Sequence, residues 1–189
     1  MILPKSFYER DPAVVARELL GNILVVNDNE LLKGKIVETE AYYGLSDPAS
    51  RAFKGKTKLS RWMWEDAGST FVYMVHSYWL FNIITERKGK PSGVLIRAVE
   101  PLEGIDYMVK RRGTDDIKNL TSGPGKLTIS FNINGDDNGL KVYEKDSRIF
   151  IEKGEDKNFR IATSKRIGVR EDLQEHLRFF VEGNKFVSR

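Results

Sequence analysis

Residues 37–44 read VETEAYYG, with Glu38, Glu40 and Tyr42 at every second position. In a β-strand that spacing puts Ile36, Glu38, Glu40 and Tyr42 on one face and Val37, Thr39 and Ala41 on the other. Carboxylates close together and beside an aromatic ring hold a proton more tightly in at least one member, which suits a general base. A solvated strand face with stray ion pairs is the ordinary alternative. VLIRAVEP sets Arg97 inside an apolar strand, on the face of Leu95 and Val99. Buried there, it needs an acidic or polar partner, because an unpaired buried charge is very costly. On an edge strand it would simply reach solvent.

FVYMVHSYW gathers Phe71, Tyr73, His76, Tyr78 and Trp79. Such rings stack bases when exposed and fill a sheet core when not. Basic groups at Lys54–Arg61, at Lys110–Arg112, and at Lys165, Arg166 and Arg170 offer phosphate contacts or plain surface charge.

Composition narrows the chemistry. The 189 residues contain no cysteine, which removes disulfides, thiolate nucleophiles and cysteine-held metals together. The two histidines, His76 and His176, are far apart in sequence, so a metal site is not expected. Apolar residues at 40% and charged residues at 31% fit an ordinary globular protein. The net charge of +4 is compatible with nucleic acid without being diagnostic. The first residues become charged too early for a signal peptide, and no apolar run approaches membrane-spanning length. A cytosolic protein follows. The runs KGKTKLS and SGPGKLT lack the leading glycine of a phosphate-binding loop, and NGDDNG lacks the spacing of a calcium loop.

The elements that must carry these residues follow from pattern. DPAVVARELLG (11–21) has an N-cap aspartate, a proline at the first helical position and a closing glycine, and predicts a helix. Residues 22–44 predict two strands joined by the turn Asn27-Asp28-Asn29. Residues 45–70 predict a long irregular loop with a short helical piece, the kind of loop that tends to be functional. STFVYMVHSYWLFNIIT and SGVLIRAVEP predict two or three strands. PLEGIDYMVKRRG predicts a helix with a basic end, and SGPGKLTISFNI a capped helix. LKVYEKDSRIFIEKGED and LRFFVEGNKFVSR alternate like strands. Helices and strands come in clusters rather than strict alternation, which favours one α+β domain with a largely antiparallel sheet.

Seven segments in order, VETEAYYG (37–44), DPAS (47–50), GKT (55–57), FVY (71–73), RAVEPLEG (97–104), GPGKL (123–127) and RIGV (166–169), give the chain a family resemblance. It resembles the alkyladenine (3-methyladenine) DNA glycosylases of the mammalian methylpurine-glycosylase type. The resemblance implies one glycosylase domain over residues 1–189, α+β, with a curved antiparallel sheet and surrounding helices. It implies a monofunctional enzyme of base excision repair that needs no cofactor and acts in the cytoplasm or at the nucleoid. Its substrate would be damaged double-stranded DNA, bound by a monomer through the minor groove, with an alkylated or deaminated purine flipped out. Position by position, it makes Glu40 the base that activates water against the sugar C1′. Arg97 and the backbone carbonyl of Ile167 would hold that water. Tyr42 and Tyr73 would sandwich the flipped base, and Asn82 would disfavour normal guanine. Two departures stand out. Arg51 follows DPAS where the family usually has histidine, and would stack, bind phosphate or repel a cationic base. His76 stands where the wedge that fills the vacated duplex is typically tyrosine. A nucleoside hydrolase using Glu38 and Glu40 as a pair, and a non-catalytic damaged-DNA binder, are the rival readings.

Overall fold

A computed structural model describes residues 1–155 and 157–188. After a short helix α1 (Lys5–Tyr8), α2 (Pro12–Leu19) begins as the sequence requires. The Asp11 carboxylate accepts from the N–H groups of Ala13 and Val14 at 2.8 and 3.3 Å. Losing such a cap costs about 1 kcal/mol. The helix buries Val15, Ala16 and Leu19 against the sheet, and fully burying a side chain the size of Leu19 stabilises by about 1.5–3 kcal/mol.

Among the described residues, eight strands form one antiparallel sheet: β1 (Ile23–Asn27), β2 (Leu31–Tyr42), β3 (Thr70–Val75), β4 (Tyr78–Thr85), β5 (Ser92–Glu103), β6 (Ile149–Glu152), β7 (Ile161–Ser164) and β8 (Arg178–Val181). The order is β3-β4-β5-β2-β1-β6, and β8 joins β2 with β7 beyond it. Strand β2 is the hinge of this arrangement. It pairs with β5 on one side, while on the other its first half takes β1 and residues Glu38–Glu40 take β8. Helices α3 (Ile105–Arg112) and α4 (Pro124–Phe131) pack on each other, and α4 packs on β4 and β5.

The strand predictions for residues 22–44, 69–85 and 92–101 hold, but β2 is not evenly alternating. Its register against β5 shifts between Ile36 and Glu38 and again at Thr39. Ile36 therefore joins Val37 and Ala41 in the apolar core rather than siding with Glu38 and Glu40. The face opposite the carboxylates is fastened to α2, where Thr39 Oγ1 donates to the Ala16 carbonyl at 2.8 Å.

Three element predictions need correction. The helix expected from Pro101 starts only at Ile105, because β5 runs on to Glu103. Pro101 is tolerated there because β4 has already left that side of β5, so no ladder donor is missing. Gly104, at φ 77°, then turns the chain into the helix. Helix α4 has no side-chain cap: Gly123 precedes it, and Pro124 supplies its pre-set first turn. In the two C-terminal stretches read as alternating, only Ile149–Glu152 and Arg178–Val181 are strand. Around them the backbone closes turns, such as Asn184 N–H to Val181 O at 3.2 Å.

Candidate active site

The carboxylates of β2 are fully buried, not on a solvated face: Glu38 and Glu40 are both 0% exposed. Glu40 has three partners. The backbone N–H of Ile167 donates to its Oε1 at 2.7 Å, the Tyr42 hydroxyl donates to its Oε2 at 2.7 Å, and Arg97 Nη1 lies 3.4 Å from Oε1. Burial raises the Glu40 pKa above its ordinary 4.5, with Arg97, the Ile167 N–H and the Tyr42 hydroxyl pulling the other way. Burial, reinforced by Glu40, holds the Tyr42 hydroxyl well above its usual range, so it stays protonated and donates.

Arg97 does not reach solvent along an edge, being only 7% exposed. Its Nε donates to Glu38 Oε1 at 2.9 Å. Glu38 is saturated elsewhere as well: Arg178 Nε donates to Oε1 at 2.7 Å, and Ser188 donates through its Oγ (2.8 Å) and its N–H (2.6 Å). Two carboxylates and two guanidiniums thus form a neutral buried quartet. Glu38 is held inside it rather than offered to a substrate beside Glu40, which removes the paired-carboxylate hydrolase reading.

In front of Glu40 lies a cleft of about 840 Å³, lined by Tyr42, Arg51, Tyr73, His76, Arg97 and Ile167 among others. A cleft of this volume takes a small molecule or a nucleotide. At its inner end, a recess of about 10 Å³ is bounded by Tyr42, Arg51, Phe71, Tyr73 and Asn82. That is room for about one water. The recess is tight because the Arg51 guanidinium lies over the Tyr73 ring, 4.9 Å from its centroid, while Phe71 stacks on Tyr73 at 5.0 Å. The Asn82 amide donates to the carbonyls of Phe71 and Leu80 at 3.2 and 3.3 Å, which fixes the side chain at the recess wall.

All eight residues singled out for the site therefore come together: Glu40, Arg97, Ile167, Tyr42, Tyr73, Asn82, Arg51 and His76 all line the cleft or recess or, for Glu40, sit directly behind it. His76 occupies the exposed tip of the β3–β4 hairpin.

The structure also redistributes the basic residues. Arg166, in a basic group that the sequence leaves open to phosphate contact or plain surface charge, is buried. It donates to Asp47 at 2.6 and 2.8 Å and to Asp172 at 2.8 Å, and its guanidinium lies 4.5 Å over the Tyr42 ring. It fixes the wall of the cleft instead. Arg111 and Arg112 bond to the carbonyls of Ser130 and Leu120 and bind helix α3 to its neighbours. Lys54, Lys56, Lys58 and Arg61 remain exposed on the loop beside the cleft, as does Arg170. Missed altogether were Arg178, Ser188, Asp47 as a charge partner, and Asp172. Arg178 and Ser188 meet Glu38, and Asp47 meets Arg166, across more than a hundred residues of sequence, and although Asp172 lies only six residues from Arg166, no local pattern announces any of these pairs. Among the described residues, no group of three histidine, cysteine or acidic side chains could hold a metal.

Known proteins match this chain along nearly its whole length. The family model of methylpurine-DNA glycosylase (MPG) matches residues 6–185. A protein of Clostridium beijerinckii named "Putative 3-methyladenine DNA glycosylase" is 39% identical over 203 residues, covering 100% of both chains. Proteins of the same name from Clostridium perfringens (42% identical, 100% of both chains) and Chlorobium phaeobacteroides (40% identical, 100% of this chain and 97% of the relative) match likewise. With its fold, its buried carboxylate and its whole length accounted for, the chain belongs to the methylpurine-DNA glycosylase family, hydrolases of the N-glycosyl bond that act in the repair of alkylated bases in DNA.

Proposed function

We propose that the whole chain works as one monofunctional glycosylase domain that flips a damaged purine out of duplex DNA into the cleft over Glu40. Water attacks C1′, the glycosyl bond electrons leave with the base, and Glu40 takes the proton from water. A cationic alkylated purine leaves as a neutral molecule and needs no general acid. The sugar is left with a hydroxyl at C1′ and an intact strand, since among the described residues the side chains touching Glu40 include no amine that could form a Schiff base.

The observation that carries this reading is the setting of Glu40. It is a fully buried carboxylate whose three partners all line the cleft, and burial makes it a stronger base than an ordinary glutamate. Its negative charge also faces the place where an oxocarbenium-like cation develops. In this reading Arg97 Nη1 and the Ile167 carbonyl hold the water, a role supported by the contacts of Arg97 and of the Ile167 N–H with Glu40. The Tyr42 and Tyr73 rings return part of the cost of unstacking, which is a few kcal/mol and least at a damaged pair. Asn82 screens the purine edge, and His76 at the hairpin tip fills the gap left in the duplex. The exposed lysines beside the cleft support contact with duplex phosphates, and in this reading the protein acts as a monomer inside the cell, in the cytoplasm or at the nucleoid. Among the described residues, no helix is long and apolar enough to cross a membrane.

The test is single-turnover base release from duplexes carrying 7-methylguanine, hypoxanthine or 1,N6-ethenoadenine, followed across pH. Glu40→Gln keeps the shape of the site and should lose about 10²–10⁴-fold in rate while still binding damaged duplex. The base must be ionised to act, so the wild-type rate should fall on the acid side with a midpoint above 4.5, as the raised Glu40 pKa requires. Equal rates for the two proteins would remove Glu40 from the role. Tight binding with no release from either would leave the non-catalytic binder standing.

A further inference from the structure

Arg97 is shared between two carboxylates, and only one of them lies against the cleft. Its Nε is spent on Glu38 (2.9 Å), and its Nη2 donates to Ser188 Oγ at 3.3 Å. These two contacts fix the guanidinium plane and leave Nη1 as the group facing Glu40, at 3.4 Å. Ser188 Oγ in turn donates to the same Glu38 oxygen that Arg97 grips, at 2.8 Å. The segment carrying Ser188 is itself anchored. Phe186 is buried, Asn184 donates to Glu100 at 3.0 Å, and Arg178 Nη2 donates to the Ser188 carbonyl at 3.2 Å. A strap of chain nearly 150 residues downstream of Glu38 therefore closes the shell behind the catalytic carboxylate.

We propose that Glu38 and Ser188 are positioning residues that aim Arg97 at Glu40, which makes the C-terminal strap Asn184–Ser188 part of the active site. Neither residue lines the cleft. Their effect runs through the angle and distance of one guanidinium. Ser188 is the cleaner probe, because removing its hydroxyl changes no charge. The groups facing Glu40 are Arg97 from β5, Glu38 and Tyr42 from β2, Tyr73 from β3, Arg178 from the paired position on β8, and the Ile167 N–H. Of these, Arg97 is the cation that favours the ionised form of Glu40. If its aim slackens, Glu40 must hold its proton to higher pH.

The experiment compares wild type, Ser188→Ala and Ser188→Thr by two readouts. The first is the titration of the Glu40 carboxyl followed by NMR on protein with 13C-labelled glutamate side chains, assigned through Glu40→Gln. The second is the pH profile of single-turnover base release. The first readout needs no catalysis, so it judges the proposal even if the assignment of Glu40 as the base fails; the second rests on that assignment. Ser188→Ala should move the Glu40 midpoint upward and lower the rate at neutral pH about tenfold, with damaged-duplex binding unchanged. Ser188→Thr, which keeps the hydroxyl, should restore both. A Ser188→Ala protein of lower Tm but unchanged Glu40 midpoint would overturn the proposal and reduce the strap to a structural clasp. So would a threonine variant that behaves like alanine while folding normally.

Discussion

Arg51 places a permanent charge where, in the proposed reaction, the flipped base would arrive. Its guanidinium lies over the Tyr73 ring and narrows the recess to about 10 Å³, so an incoming purine has to move it aside or stack against it. Either way a cationic lesion meets a like charge, whereas a neutral purine meets a planar donor. Arg51 is exposed in the free protein and its field is screened there; covering the cleft with duplex removes that screening. Replacing it by glutamine should shift selectivity toward cationic lesions. The ratio of 7-methylguanine to hypoxanthine release should rise roughly five- to tenfold, the effect of about 1 kcal/mol from one charge at some 5 Å in a mostly aqueous dielectric. An unchanged ratio would show that Arg51 swings clear before the base enters. At this scale the sequence is informative where a side chain carries the chemistry. Glu40, Arg97, Tyr42 and Tyr73 are residue types that have to be explained wherever they occur in an apolar run. Ile167 is different: its N–H grips Glu40, and a backbone group leaves no trace in residue type.

Among the elements, the β3–β4 hairpin shows most clearly how local geometry serves the site. Its two-residue turn is His76-Ser77, with both residues in the left-handed region at φ 47° and 70°. A two-residue hairpin of this kind favours Asn-Gly, and a residue with a branched or bulky Cβ is strained there by about 1–2 kcal/mol. The fold tolerates this strain at an exposed tip on the cleft rim, which fits a side chain kept for contact rather than for the turn. Changing His76-Ser77 to Asn-Gly should therefore raise Tm by a few degrees. The same change should weaken binding to a paired lesion more than to a lesion opposite a gap, because only the paired site needs a wedge. Equal weakening on both duplexes would make His76 a packing residue. The strands of this hairpin were legible from their aromatic and β-branched content, but the turn lacks the Asn or Gly that would have located it. The misplaced start of α3 has a related cause. Pro101 normally ends a strand, and only the early departure of β4 allows β5 to continue through it. The bulge in β2 likewise depends on its pairing with β5, not on any residue within it.

At the scale of the molecule, the fold gathers residues 38–42, 97, 166–172, 178 and 188 around the two buried carboxylates Glu38 and Glu40, and the same folding sorts the basic residues into two kinds. Composition shows only a modest net charge of +4. The fold spends Arg97, Arg166 and Arg178 on buried carboxylates and Arg111 and Arg112 on carbonyls, leaving Lys54, Lys56, Lys58, Arg61 and Arg170 exposed on loops around the cleft. Duplex binding should therefore draw its salt dependence from that second group. Each phosphate contact releases counterions and contributes about 0.9 to the slope of log K against log salt concentration. Lys54→Gln combined with Lys58→Gln should lower the slope by up to about 1.8 and weaken damaged and undamaged duplex alike, while the rate of base release from the bound complex stays the same. Arg112→Gln should do the opposite, lowering Tm through the lost bond to Leu120 and leaving the slope unchanged. Titrating both variants against one duplex between 50 and 200 mM salt separates the two roles. A slope that falls for Arg112→Gln and not for the lysine pair would place the duplex on the α3 side of the molecule, away from Glu40, and the catalytic assignment of the cleft would fall with it.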